Sequence, residues 1–335
     1  MKRLARWTLC LLLLLAACRA PGATRPTVKI GLVAPFEGRY RYVGYGLFAA
    51  VRLALREANA AGGVGTPPYA VELVAYDDGA DPEMARRQAE KLAVDPQVVV
   101  VIGHFREETT RAALPVYARE GLPLLAPAVL DPALTAGPGF VPVVRIGPDA
   151  DELAARMLEG VAEAGLITDG GPLGEALQRA AAARGGSLRP VGPPADVPRW
   201  GPLPPVLFCD APPVECGEAL ASLRARGWAG EFVGGPDLAA DEFRAVVGGT
   251  PGVRVVTPWL RPQTLPGCAD FVARCTEISL GIPPGDLALP AYAAARHALR
   301  ALEWAITHGG APSRSGVAVA LAAIPTEPLA DPCGD

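Results

Sequence analysis

The 335-residue chain is poor in the residues that most catalysts depend on: it has three His, three Met and 6% aromatic residues. His104, His297 and His308 are too scattered to form a metal-binding HExxH helix. No G-x-S-x-G elbow or G-x-x-x-x-G-K-[ST] loop occurs, and Gly44-Tyr45-Gly46 lacks the third Gly of a dinucleotide fingerprint. Nucleophilic, metal-dependent and nucleotide-driven chemistry therefore find no motif, so the chain reads as a non-enzyme without metal or cofactor. Long apolar runs are missing as well. The stretch over residues 8–15 is about half the roughly 20 residues that span a bilayer. The formal net charge of −4 argues against nucleic acid as a partner.

The N-terminus carries an export signal. Lys2, Arg3 and Arg6 precede the short apolar run, which ends in Leu15-Ala16-Ala17-Cys18. That tetrad resembles the bacterial lipobox, which implies a signal peptide over 1–17 and an acylated Cys18 as the first mature residue. Residues 18–26 then read as a lipidated tether. Acyl chains contribute about 0.8 kcal/mol per buried methylene, enough to hold a protein on a membrane face without a spanning helix. The remaining 318 residues suffice for two domains of about 150 residues. Five Cys lie beyond the anchor, in an oxidising compartment: Cys209, Cys216, Cys268, Cys275 and Cys333. The repeated C-x6-C spacing permits Cys209–Cys216 and Cys268–Cys275 bridges, although spacing alone does not fix connectivity.

The residues after the tether alternate strand and helix patterns. Residues 28–34 and 98–102 are continuous apolar strands, which parallel sheets covered on both faces require. Between them lie a helix at 47–60 ending in Ala61-Gly62-Gly63, a strand at 69–76, and a helix at 82–92 with Pro near its start. The alternation continues through 122–126, then more raggedly over 149–184, and 185–205 is rich in Pro and Gly. It resumes as strands at 206–208, 231–233 and 253–257, followed by helices at 268–279 and 289–307. Pro258, Pro262 and Pro266 mark a segment that passes between domains.

In this order the motifs resemble the type I periplasmic binding proteins, in the branch that binds leucine, isoleucine, valine and related solutes. The resemblance rests on Ile30-Gly31-Leu32-Val33-Ala34-Pro35-Phe36-Glu37-Gly38, Gly44, and Glu57-Ala58-Asn59-Ala60-Ala61-Gly62-Gly63-Val64. Tyr76-Asp77-Asp78, Val101-Ile102-Gly103-His104, Leu124-Leu125-Ala126-Pro127-Ala128 and Asp131-Pro132 extend it. It implies an α/β fold of two hinged, Rossmann-like lobes with parallel sheets, crossed three times by the chain and shortened here at the C-terminus. Lobe one is expected over 27–146 plus 260–327, and lobe two over 147–259. The implied role is an extracytoplasmic solute-binding lipoprotein, monomeric, serving the permease of an ABC importer. A sensor for a membrane receptor and a degenerate non-binding envelope protein remain alternatives.

Ligands of open α/β sheets bind at the carboxyl ends of the strands. Those loops supply the candidate contacts: Arg39, Tyr40 and Tyr42; Arg106, Glu107, Glu108 and Thr109; Ala128 and Leu130; Asp210 and Asp237. The resemblance places hydroxyl residues where Glu107 and Leu130 stand, and an aromatic where Leu173 stands. A carboxylate beside Glu107 meets like charge, about 4 kcal/mol at 4 Å and an effective dielectric near 20. A small polar, donor-rich or cationic solute is therefore expected, rather than a free branched-chain amino acid.

Overall fold

A computed structural model describes residues 25–135, 142–199, 201–249, 252–325 and 333. The expected signal peptide, Cys18 and most of the expected tether lie outside the described residues. The described residues form two five-stranded parallel sheets. The first runs β2-β1-β3-β4-β5, from β1 (Thr27–Ala34), β2 (Ala70–Asp77), β3 (Val98–Ile102), β4 (Leu124–Ala126) and β5 (Val143–Arg145). The second runs β10-β9-β8-β6-β7, from β6 (Ala164–Thr168), β7 (Arg189–Gly192), β8 (Val206–Asp210), β9 (Glu231–Gly234) and β10 (Val253–Val255).

Apolar patterning explains the strand order. The central β3, Val98-Val99-Val100-Val101-Ile102, is buried at every position, whereas the edge strand β7 contains Pro190, which an interior strand cannot accommodate. That proline hid β7 in the stretch read from sequence as Pro/Gly-rich loop.

Lobe one is covered by α1 (Arg41–Ala60), α2 (Pro82–Val94) and α3 (Glu107–Glu120). Asp81 caps α2 by accepting from the Met84 N–H, and Pro82 occupies its first turn, where no N–H is needed. Lobe two carries α4 (Ala150–Met157), α5 (Pro172–Ala183), α6 (Pro213–Ala225) and α7 (Asp241–Val247). A reciprocal Asp149/Glu152 capping box starts α4 directly after the first crossing. Helices α8 (Ala269–Ile278), α9 (Ala288–Gly309) and α10 (Arg314–Ala323) return to lobe one, where Phe271, Leu302 and Val317 join the core that holds Ile30, Leu47 and Val100. The short α7 and the terminal α10 are absent from the sequence reading. Among the described residues the chain passes between lobes twice, after β5 and after β10, rather than three times.

One disulfide joins Cys209 to Cys216 across the turn between β8 and α6, with 6.2 Å between their Cα atoms. The second joins Cys268 to Cys333, and Cys275 is free and buried. The Cys268–Cys275 pairing that the spacing permits is thus corrected. Cys268 caps α8 and Cys275 lies on its buried face. Seven residues of helix separate them by about 10.5 Å, beyond the reach of a disulfide.

Candidate functional site

A cavity of about 1040 Å³ opens between the lobes. Lobe one lines it with the start of α1, the loop after β3 and the loop after β4; lobe two lines it with the loops after β6, β8 and β9.

The loop after β3 is fixed from below. Gly103 has φ +131°, and a Cβ there would come within 2.2 Å of the Val33 carbonyl, so no other residue fits this close approach. His104 is wholly buried between Asp78 and Tyr117. Its Nδ1 lies 2.8 Å from Asp78 Oδ2 and its Nε2 2.9 Å from the Tyr117 hydroxyl. An ionised Asp78 only accepts, so Nδ1 carries the proton and Nε2 accepts from Tyr117. Burial holds the Tyr117 phenol well above its usual range, which keeps it a donor. The Thr109 and Thr110 hydroxyls both donate to the Arg106 carbonyl, at 3.1 and 2.7 Å.

On this base the Arg106 guanidinium stacks over Tyr40, 4.0 Å from the ring centroid. Burial acts to lower the Arg106 pKa, but the field of Asp237 and neighbouring groups outweighs it and raises the value, so the guanidinium stays charged. Glu107 Oε1 accepts from the Leu130 N–H at 2.9 Å. Its carboxylate is therefore tied to the loop after β4 while still lining the cavity, and its charge reaches Asp210 on the far wall.

The opposite wall is acidic. Asp210 Oδ2 accepts from the Gly174 N–H at 2.7 Å and from the Thr168 hydroxyl at 3.4 Å. A side chain at Gly174 would collide with both Thr168 and Asp210, so glycine lets the first turn of α5 close on this carboxylate. Asp237 Oδ1 accepts from the Tyr42 hydroxyl of the other lobe at 3.3 Å. Burial raises the pKa of Asp237 and pushes that of Asp210 to about 7, each further raised by nearby carboxylates, with Gly174 opposing the shift at Asp210 and Arg106 opposing it at Asp237. Eleven carboxylate residues and four arginines line the cavity. Arg111 pairs with Asp131 at 2.8 Å, Arg179 with Asp151 at 2.9 Å and Arg261 with Asp241 at 3.0 Å, which leaves the acids in excess.

Of the residues expected from sequence, Tyr42, Arg106, Glu107, Glu108, Ala128, Leu130, Asp210 and Asp237 line one cavity. Tyr40 serves instead as the platform under Arg106, and Thr109 turns back into its own helix terminus. The Arg39 side chain lies outside the described residues. Sequence reasoning missed the second crossing as a cleft wall. There Arg261 Nη2 reaches Asp241 and the Ala239 carbonyl of lobe two, while its Nε pairs with Asp286 of lobe one at 2.5 Å. Three prolines signalled the crossing but gave no sign that its side chains face the cavity. Among the described residues no group of three His, Cys, Asp or Glu could hold a metal ion, and no helix is long and apolar enough to cross a membrane.

Two parallel α/β lobes flanking a polar cleft have the architecture of a two-lobed binding protein. Residues 27–189 match the family model described as periplasmic binding protein. The Leu/Ile/Val-binding protein of Escherichia coli K12 is 32% identical over 177 residues, covering 50% of this chain and 47% of that protein. The chain thus spans about half the length of the curated relatives it matches. A structure of a putative branched-chain amino acid ABC transporter from Rhodospirillum rubrum superposes with TM-score 0.63 at 26% identity, covering 89% of each chain. A possible leucine/isoleucine/valine-binding protein from Rhodopirellula baltica superposes with TM-score 0.75 at 20% identity, covering 90% and 87%. Over residues 27–189 the chain is similar to the periplasmic binding proteins, and its two-lobed fold is shared with structures described as branched-chain amino acid binding proteins. Its relatives are solute-binding proteins, not enzymes.

Proposed function

We propose that the protein is the exported, lipid-anchored solute-binding component of an ABC-type importer, and that its cleft takes a small solute bearing a protonated nitrogen. Export and anchoring rest on the signal and Cys18; delivery to a permease rests on the relatives. The observation that carries the ligand class is the acidic wall of lobe two. Asp210 and Asp237 are hydrogen-bonded by neutral donors only, the Gly174 N–H, Thr168 and Tyr42. An ammonium brought against either carboxylate in this low-dielectric site gains several kcal/mol of attraction that a neutral or anionic solute cannot gain. Thermal-shift screening of the processed protein against amines, amino acids, amides and simple carboxylic acids tests this. A solute at 100 times its dissociation constant stabilises the fold by about 2.7 kcal/mol, so nitrogen cations are expected to raise the Tm while the acids leave it unchanged. A larger shift with the acids would overturn the reading.

A further inference from the structure

Arg111 and Arg179 pair with carboxylates of their own lobes, Asp131 and Asp151. Arg261, on the second crossing, grips both lobes at once. Its Nε lies 2.5 Å from Asp286 Oδ1 of lobe one, and its Nη2 lies 3.0 Å from Asp241 Oδ1 and 3.1 Å from the Ala239 carbonyl of lobe two. The segment that carries it is held in place. The Arg261 carbonyl accepts from the Thr264 N–H at 2.9 Å and from the Thr264 hydroxyl at 2.8 Å, and Gln263 Nε2 donates to the Pro284 carbonyl of lobe one at 2.6 Å. Just before it, Thr257 Oγ1 bonds both the N–H and the carbonyl of Trp259 at 3.1 Å. The Trp259 indole packs on the first crossing, where a Cβ at Gly147 would come within 3.2 Å of its Nε1.

The two ends of this bridge differ. The Asp286 side chain is 13% exposed and that of Asp241 76%. Parting Arg261 from Asp286 strands a largely buried carboxylate, whereas the Asp241 end is screened by solvent and exposed pairs of this kind hold weakly. Both lobe-two groups also have a second partner. Arg244 Nη2 donates to the same Ala239 carbonyl and lies 3.3 Å from Asp241 Oδ1. When Arg261 withdraws from lobe two, neither the carbonyl nor the carboxylate loses its last donor. One end of the bridge is therefore durable and the other releasable.

We propose that Arg261 is an interlobe clasp: it stays on Asp286, engages Asp241 and the Ala239 carbonyl when the lobes approach, and lets go of them when the lobes part. Arg244 competes for the same two groups and sets how readily the clasp opens. No solute atom takes part, so the clasp acts alike on every solute, through the population of the closed form rather than through contacts with the ligand.

Electron–electron resonance distances in the processed full-length protein, without solute, test it. Spin labels are placed by Arg41→Cys on lobe one and Glu175→Cys on lobe two, both exposed positions. Arg261→Gln, too short to span both lobes, should lower the ratio of closed to open forms about fivefold, the scale of one exposed ion pair. Arg244→Gln, which removes the competitor, should raise that ratio by a similar factor. Salt at about 1 M, where the screening length is about 3 Å, should move the wild type towards the Arg261→Gln distribution and leave that variant where it is. Should Arg261→Gln not fold, Arg244→Gln and the salt series decide alone. A separation that neither substitution changes, that both shift in the same direction, or that salt leaves unmoved in the wild type overturns the clasp. Because no solute is present, the outcome is separate from the protonated-nitrogen reading.

Discussion

The two walls of the cleft are built by opposite means. Lobe one presents a loop whose backbone is locked by buried, mutually satisfied groups: Gly103 against Val33, His104 between Asp78 and Tyr117, Thr110 on two carbonyls. Lobe two presents carboxylates that burial and their acidic neighbours destabilise, held by neutral backbone and hydroxyl donors. The difference shows where each lobe carries its strain. The lobe-one wall is electrostatically settled, with Arg106 stacked on Tyr40 and paired to Glu108 at 3.6 Å. Lobe two keeps buried carboxylates whose charge is disfavoured, offset at Asp237 by the field of Arg106, and such perturbed groups commonly mark binding sites.

Perturbations of lobe one should therefore cost stability. Breaking the Cys268–Cys333 bridge with Cys268→Ser opens a 65-residue closure. A loss of about 4 kcal/mol is expected in urea unfolding, while the local Cys209–Cys216 bridge, seven residues apart, should be worth about 2.5 kcal/mol. His104→Ala strands the buried Asp78 carboxylate and the Tyr117 hydroxyl together. About 3 kcal/mol should be lost, and retention of wild-type stability would show that the network does not fix the loop.

The same test in lobe two should have the reverse sign. Asp210 has a folded-state pKa of about 7 against roughly 3.9 unfolded, so between these values the native state binds more protons. Stability then falls as pH rises from about 4 to 7, and the penalty is fully present above 7. Asp210→Asn, which keeps an acceptor for the Gly174 N–H, should raise unfolding free energy at pH 8 by about 1–2 kcal/mol and leave it nearly unchanged at pH 4. A loss of stability at pH 8 would mean that Asp210 has a cationic partner in the resting protein.

The comparison also explains what the sequence made legible. The frame of lobe one was readable because its cues are local: the apolar β1 and β3, the Gly62-Gly63 helix exit and the Asp81-Pro82 cap each encode a structure within a few residues. Lobe two was read more poorly because β7 contains Pro190 and α7 is only seven residues long, so neither shows a period. Strand ends pointed to most cleft residues, yet not to what they do there. The bond of Glu107 to Leu130, 23 residues away, is invisible in sequence. Tyr40 looked like a ligand contact and is a platform, because the stacking of Arg106 depends on a fold that brings residues 66 positions apart together. The C-x6-C spacing allowed Cys268–Cys275, yet the helix expected over 268–279 already sets the two cysteines too far apart to pair.

The central claim is that lobe two supplies the counter-charge for a protonated nitrogen, and calorimetry on Asp237→Asn tests it most directly. Asn retains the acceptor that Tyr42 uses and removes only the charge. With the tightest amino acid or amine found for the wild type, the affinity should drop about 100-fold while the Tm without solute holds or rises, because burial already disfavours the charge at this position. An unchanged affinity would place the ligand's charge elsewhere and contradict the account.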